Sequence, residues 1–377
     1  MKSLTPAKFI AFLIFSIAFL TAGIFAQNPT PTPGPPQPAD DSDGVIKVDS
    51  RLVAIPVSVT DSNGEPVQGL SEKDFRVSEE GRPQKIERVG TADTVPLEIV
   101  LLFDVSASTD AMFRFEQETA AKFLQDVMRP MDRATIYTIG AGPVMVQGRD
   151  TAEKTVVAMR NIKPTKEFTA FYDSVSAAAD YLEKNAPSGT RRVVVVISDG
   201  EDTNSSRIAK AIQDGYRKAG AQVNTLDNKA LYNLTVANRN EASAKERTRV
   251  LKSLQDADTV FYSVNPAGSS YQLNQMSVFG QQNMETFAKD TGGTAFLPKF
   301  APIDTKDEYL NSNNLKKNNQ VLEAIFKQLA NELRAQYLVQ YYSESDYPNG
   351  RYVRLDVGLQ QPTGRKMRAR QGYYVKN

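Results

Sequence analysis

The fold is decided by the stretch Leu97 to Phe113, "LEIVLLFDVSASTDAMF", in which an uninterrupted apolar run stops at Asp104. A run of this kind is typical of a parallel strand that is covered by helices on both faces. Ser106 and Ser108 follow the aspartate at alternate positions, and the residues from Phe113 onward have helical spacing. The stretch therefore predicts a buried strand, a polar loop and a helix.

The middle of the chain, from Leu97 to about Phe300, repeats this alternation of strands and helices. A second apolar strand, "RRVVVVIS", ends just before Asp199, Gly200 and Asp202. A weaker edge segment lies around Val144–Val146. Strands that alternate with helices predict an α/β fold with a doubly wound, mostly parallel, Rossmann-like sheet.

Short β segments lie at both ends of the chain. Alternating residues between Ile46 and Val89 are interrupted by turn signals, and "AQYLVQYYSE", "GRYVRLDVGL" and "MRARQGYYV" follow near the C-terminus. Neither group is long enough for a core of its own, so we expect both to form one small β-sandwich-like domain. The predicted intervals are a signal peptide at 1–26, a Pro-rich linker at 27–44, β-domain parts at 45–93 and 336–377, the α/β domain at 94–300, and a linker with a helix at 301–335.

Two segments leave alternatives open. Ala219–Ser243 is long and polar for a connection in such a fold, and it either carries local structure or forms a surface insertion. The basic residues near the C-terminus form either a solvated strand face or an anion site. They are Arg365, Lys366, Arg368 and Arg370.

The first 26 residues have the pattern of an export signal. Lys2 and Lys8 precede the apolar run Phe9 to Leu20, and small residues lead to a plausible cleavage position after Ala26. We expect an exported protein that is periplasmic, on the cell surface or secreted. An uncleaved membrane anchor is the alternative, because the apolar stretch is near the lower limit for a span.

Composition excludes several function classes. The chain has 45 basic and 44 acidic residues, so its net charge of +1 gives no general attraction to nucleic acid. Cysteine and histidine are both absent, which removes disulfides, thiolate metal sites and every nucleophile that depends on histidine. The serines after Asp104 therefore have no histidine to activate them.

The two apolar strands predict an oxygen-rich metal site. Ligands of open parallel sheets bind at the carboxyl ends of the strands. If the two strands are neighbours, Asp104 and Asp199 meet there with the hydroxyls of Ser106 and Ser108, and Gly200 and Asp202 lie close by. Such a set suits Mg²⁺, Mn²⁺ or Ca²⁺. The alternative is that these residues are ordinary helix caps and turn residues.

These motifs resemble the von Willebrand factor A-type domain and its metal-ion-dependent adhesion site, over about Leu97 to Pro298. The family's D-x-S-x-S motif corresponds here to Asp104, Ser106 and Ser108. Its aspartate after a later strand corresponds to Asp199, and its threonine before a helix corresponds to Thr169. Lys166-Glu167-Phe168 stands where the family usually has glycines, and Thr169 could instead cap the helix. "VSVTDSNGEPVQGLSEKDF" and "ARQGYY" resemble, more narrowly, an exported bacterial, acidobacterial-type group of such proteins.

The resemblance implies a non-catalytic binding module. Its metal would capture an Asp or Glu of a partner protein, in adhesion or assembly, with no role for nucleic acid and with membrane contact only through an uncleaved N-terminal segment. Two alternatives stay open. One is a structural envelope protein with a vestigial metal site, and the other is a metal-dependent hydrolase of phosphoesters.

Overall fold

The computed structural model describes residues 51–106, 110–165, 167–266, 275–303 and 306–376. The strands are β1 Arg51–Asp61, β2 Phe75–Glu79, β3 Arg82–Gln84, β4 Ile86–Gly90, β5 Leu97–Asp104, β6 Arg133–Ile139, β7 Pro143–Asp150, β8 Arg191–Ile197, β9 Thr259–Val264, β10 Ala295–Phe296, β11 Gln336–Ser343, β12 Tyr352–Leu359, β13 Arg365–Ala369 and β14 Gly372–Tyr374. The α-helices are α1 Asp110–Val127, α2 Ala152–Arg160, α3 Phe171–Asn185, α4 Ser206–Ala219, α5 Asn228–Asp256, α6 Gln275–Thr291 and α7 Glu308–Arg334. The predicted signal peptide and Pro-rich linker lie outside the described residues.

A six-stranded sheet in the order β10-β9-β8-β5-β6-β7 forms the centre of the fold. All of its neighbouring pairs are parallel except β6 and β7, which are antiparallel. The edge segment predicted around Val144–Val146 is the middle of β7. The mixed α/β class with a mostly parallel sheet is therefore confirmed.

Helices cover both faces of this sheet, which explains the unbroken apolar runs. Leu101 and Phe103 of β5 belong to the core beneath α1 and α7, whereas Val100 and Leu102 belong to the core beneath α3, α5 and α6. Successive strand residues point to opposite faces, so a strand that is covered twice needs apolar side chains at every position.

Two four-stranded antiparallel sheets, β13-β1-β11-β4 and β14-β12-β2-β3, share a third core. Both sheets combine strands from the two ends of the described chain, as the sequence predicted for a small second domain. The carboxylate of Glu79 is fully buried in this core. It accepts hydrogen bonds from Tyr341, Ser343 and Tyr373, so hydroxyls from both sheets stabilise its charge.

The polar segment Ala219–Ser243 carries local structure. A short 3₁₀ helix, Gly220–Thr225, leads into α5. Helix α5 begins at Asn228, so most of this segment is helical. Its first half lacks an apolar stripe, and it is started instead by Asp227, whose carboxylate accepts a hydrogen bond of 2.7 Å from the Ala230 backbone.

The C-terminal segment "MRARQGYYV" was expected to form one β segment, but it contributes to both antiparallel sheets. β13 pairs with β1, and β14 pairs with β12. Arg370 and Gln371 make the crossing between the sheets, and the Gln371 carbonyl accepts a hydrogen bond of 2.8 Å from the Leu355 backbone. The domain intervals given above remain predictions.

Candidate metal centre

The carboxyl ends of β5 and β8 meet at the point where the strand order reverses. β5 pairs in parallel with β6 on one side and with β8 on the other, and Phe103 lies opposite Ile197. The chain continues from β5 to β6 and returns to β8 only after α3. Such a switch point leaves a crevice at the carboxyl edge of the sheet, which is where ligands of this architecture bind.

Asp104 ends β5 and is held by two hydrogen bonds. The Ser106 backbone N–H donates to its Oδ1 at 3.0 Å, which closes an Asx turn. The Ser198 hydroxyl donates to its Oδ2 at 2.6 Å. Burial raises the pKa of the Asp104 carboxyl, and the hydrogen bonds from Ser106 and Ser198 only partly oppose this.

Asp199 follows β8 and forms a matching turn. Its Oδ1 accepts a hydrogen bond of 2.9 Å from the Glu201 backbone. Burial, with the negative charges of Asp104 and Glu201, raises the pKa of Asp199 to about 6, and the hydrogen bond from Glu201 opposes this shift. The two aspartates are therefore close enough to repel one another, and a bound cation would relieve this repulsion.

The structure describes two of the three predicted hydroxyl ligands, Ser106 and Thr169. Ser106 lies directly after Asp104 and Val105, whereas Ser108 lies outside the described residues. Thr169 is buried, and its backbone N–H donates to the Thr203 hydroxyl at 2.8 Å. The N-cap of α3 is Ala170, so Thr169 does not cap that helix.

Asp202 holds the loop between β8 and α4, beside the crevice, through hydrogen bonds. Its carboxylate accepts hydrogen bonds of 3.0 Å from the backbones of Tyr172 and Ser205, as well as one from the Ser205 hydroxyl. In return, the Asp173 carboxylate accepts hydrogen bonds from the Ser206 backbone N–H at 2.8 Å and from the Ser206 hydroxyl at 2.7 Å. These crossed caps join the N-terminal ends of α3 and α4, so the carboxylate of Asp202 is used in holding the loop.

Sequence reasoning missed two residues that shape the crevice. Ser198 is fully buried, donates to Asp104 and accepts a hydrogen bond of 3.0 Å from the Gly200 backbone. Its position at the end of the strand, beside Asp199, was an available signal. Gly280 of α6 packs on the backbone of Asp199 and Gly200, where a Cβ would come within 2.8 Å of the Asp199 carbonyl oxygen. Nothing in the local sequence indicated this contact.

The donor set fits a hard divalent cation. Two partly buried carboxylates repel one another, and hydroxyl oxygens lie beside them, which is the chemistry that Mg²⁺, Mn²⁺ and Ca²⁺ prefer. Across the described ranges, no group of three or more His, Cys, Asp and Glu side chains could hold a metal. A metal held by this centre would therefore depend on hydroxyls, with Ser106, Ser108 and Thr169 as the residues available.

The family model of the von Willebrand factor type A domain matches residues 99–201, which span the chain from β5 through Asp199. This match covers most of β5, together with Thr169 and Asp199. The comparison with curated proteins found no match.

The solved structures to which this chain is similar are distant in sequence. An aerotolerance-related membrane protein from Bacteroides fragilis is 14% identical, with coverage of 60% of this chain and 99% of that one and a TM-score of 0.32. BatB from Bacteroides thetaiotaomicron is 10% identical, with coverage of 59% and 99% and a TM-score of 0.33. Proximal thread matrix protein 1 from the mussel byssus, described with a zinc-occupied MIDAS motif, is 10% identical, with coverage of 67% and 48% and a TM-score of 0.39.

No helix within the described part of the chain is both long enough and apolar enough to cross a membrane.

Proposed function

We propose that this protein is an exported, non-catalytic binding module of the exported bacterial von Willebrand-type group, and that it captures an acidic residue of a partner protein through a divalent cation. The observation that carries this proposal is the pair Asp104 and Asp199. Burial raises the pKa of both carboxyls, and they lie together at the switch point of the sheet. Export rests on the signal pattern of residues 1–26.

The residues around the crevice have separate tasks in this proposal. Asp104 and Asp199 supply negative charge, and Ser106, Ser108 and Thr169 supply neutral oxygen ligands. Ser198 holds Asp104 in position through its 2.6 Å hydrogen bond. When bound, Mg²⁺ or a similar cation supplies positive charge and an open coordination position for a carboxylate oxygen.

A carboxylate is the partner group that best fits this charge balance. Two aspartates neutralise a divalent cation, and hydroxyl ligands add no charge. An anionic oxygen from the partner can therefore bind without strong repulsion. Because one charged contact in a desolvated crevice is strong, a small interface can still be specific.

The test is calorimetric titration of Mg²⁺ and Mn²⁺ into the purified protein and its Asp104→Ala variant. We expect the wild type to bind one cation and the variant to show at least a tenfold loss, because one of two charged ligands is gone. Asp126→Asn is the matched control, since this acid lies at the exposed end of α1. An unchanged cation affinity in Asp104→Ala would contradict the proposed site. Circular dichroism shows whether the variant has kept its fold.

A further inference from the structure

A cavity of about 780 Å³ lies between the α/β part and the antiparallel sheets. Its walls come from the C-terminal end of α6 and the chain that follows it, from the middle of β12, and from the segment Met367 to Gln371, which crosses from β13 towards β14. Small molecules usually bind in cavities of about 300–1,000 Å³. None of the described residues that line this cavity belongs to the candidate metal centre, so the two places are separate.

The wall at Arg370 is held in place on two sides. Gly292 follows α6 with a φ of 88°, and a Cβ there would come within 2.7 Å of the Arg370 backbone nitrogen. On the other side, the Gln371 carbonyl accepts a hydrogen bond of 2.8 Å from the Leu355 backbone. The point from which the Arg370 side chain enters the cavity wall is therefore fixed by packing and by β12.

Four cationic side chains line the cavity, and their charges are balanced in different ways: Lys289, Arg354, Arg368 and Arg370. Arg368 donates to the Glu332 carboxylate at 3.1 Å, and Glu332 is buried, so this charge is neutralised inside the protein. Lys289 and Arg354 are exposed, as are the two acids of the lining, Glu285 and Asp356. These four solvated charges, two of each sign, give little net attraction for an anion.

Arg370 is the exception among the four cations. Its side chain is only 5% exposed, and its Nε is buried without a hydrogen-bond partner in the described part of the chain. Its Nη1 donates to Asp258, but that carboxylate is 51% exposed, so solvent weakens the ion pair. A buried charged donor that lacks an acceptor is costly, and a ligand oxygen would remove this cost.

We propose that this cavity binds a small organic molecule or a peptide end through a carboxylate, which accepts a hydrogen bond from Arg370 Nε. A guanidinium presents parallel N–H donors that match the two oxygens of a carboxylate. Val357 and Met367, which are half-buried in the walls, offer apolar contact to the rest of the ligand. Of the basic residues near the C-terminus, Arg370 then belongs to an anion site rather than to a solvated strand face.

A monoanion fits the charge balance better than a phosphate dianion. The lining has four cations and two acids, and Glu332 and Asp258 pair with two of those cations from outside it. One unused donor, Arg370 Nε, and a nearly neutral surround suit a single negative charge.

Fluorescence titration with N-acetyltryptophan tests this proposal. The chain contains no tryptophan, so the indole of the probe can be excited alone. The whole protein is titrated in EDTA, which prevents a carboxylate from binding through a divalent cation at Asp104 and Asp199. We expect saturable binding, and about tenfold weaker binding of N-acetyltryptophanamide, in which a neutral amide replaces the carboxylate. Equal affinities, or binding of neither probe, would overturn the proposal.

Competition with the bound probe distinguishes the sources of the carboxylate. Displacement by hexanoate at concentrations similar to those of N-acetyltryptophan would support a free small acid as the ligand. Much tighter binding of an acetylated pentapeptide that ends in tryptophan, lost when its C-terminus is amidated, would support a peptide end. Displacement by inorganic phosphate at lower concentrations than either acid would overturn the choice of a carboxylate.

Arg370→Lys is the decisive variant, because it keeps the positive charge but loses the planar donor set. We expect it to bind N-acetyltryptophan about tenfold more weakly. Arg160→Lys is the matched control, since Arg160 is a half-exposed arginine of α2 that pairs with Glu118, and its affinity should be unchanged. Val357→Phe leaves Arg370 intact and narrows the cavity, so it should also weaken binding even if Arg370→Lys fails to fold. Unchanged affinity in Arg370→Lys or in Val357→Phe would overturn the site.

Discussion

At the scale of single residues, Asp104 and Asp199 show why a folded protein keeps groups that oppose its own stability. Burial raises the pKa of both carboxyls, and the charge of Asp104 adds to the effect on Asp199. The charged forms are therefore less favourable in the folded state than in the unfolded state. A bound cation would reverse this, so a metal site here would exchange stability of the free protein for affinity.

The pH dependence of stability tests this cost. The pKa of Asp199 rises from 3.8 to about 6 on folding, so its penalty is full above pH 6 and disappears as the pH falls below 4. Without divalent cations, we expect Asp199→Asn to exceed the wild type in unfolding free energy by on the order of 2 kcal/mol at pH 7.5, and by less than half as much at pH 4.5. Urea unfolding at the two pH values measures this gap. An equal gap at both would contradict the prediction.

Ser198 offers a second test at this scale. Its hydroxyl is fully buried and donates to Asp104 at 2.6 Å. We expect Ser198→Ala to weaken Mg²⁺ binding about 10- to 100-fold, as loss of a group that orients a metal ligand commonly does. Ser198→Thr keeps the hydroxyl and should retain most of the affinity, as calorimetry can show. Equal losses in both variants would mean that Ser198 acts only through packing.

Residue-scale prediction from sequence succeeded where strand patterns were strong. The apolar runs Ile99–Phe103 of β5 and Val193–Ile197 of β8 indicated that Asp104 and Asp199 follow buried parallel strands, and the structure brings those strands together. The metal roles of these residues remain predictions. Contacts made across the fold, such as Gly280 against Gly200, leave no periodic signal in the chain.

At the scale of elements, packing decides what local pattern cannot. The first half of α5 is polar, so it was not predicted as a helix, yet it is capped by Asp227 and packs against α4. β13 and β14 were predicted as one segment because the alternation runs through both. Only the pairing partners, β1 and β12, show where the chain changes sheets.

Helix α6 provides a test of how an element supports the site. Gly280→Ala should favour the helix by about 1 kcal/mol in isolation. In the folded protein, however, the added Cβ would lie 2.7 Å from the Gly200 carbonyl carbon, and one of the backbones must move. We expect about a tenfold loss in Mg²⁺ affinity by calorimetry. Gly148→Ala is the control, because its Cβ would meet only Met145 Sδ, at 3.9 Å. Unchanged affinity in Gly280→Ala would show that α6 does not position Asp199.

At the scale of the whole molecule, the α/β part and the antiparallel sheets are joined through buried polar contacts. Arg191 of β8 is only 2% exposed, and its guanidinium donates to the carbonyls of Val95 at 3.1 Å and Leu333 at 2.7 Å. The Ser58 hydroxyl of β1 donates to the Glu332 carbonyl at 3.0 Å. Burial lowers the pKa of Arg191 to about 10, which shows the cost of keeping this charge inside.

Replacement of Arg191 by methionine should weaken this junction. The change keeps an apolar stem but leaves buried carbonyls without their donor, so we expect a loss of about 3 kcal/mol in unfolding free energy. Hydrogen exchange should accelerate in β1 and β11 as well as in β8. Arg192→Met is the matched control, because Arg192 bonds the carbonyls of Ala257 and Ala186 within the α/β part. Similar exchange in the two variants would contradict a special role for Arg191.

The position of β1 also determines how the molecule would bear mechanical load. β1 lies between β11 and β13 and runs antiparallel to both. A pull on the chain at Arg51, along the strand, would load both ladders in shear, so that many hydrogen bonds must fail together rather than one after another. Tension that enters there is carried by the antiparallel sheet that contains β1. The crevice between β5 and β8 would keep its shape under a load that arrives through β1.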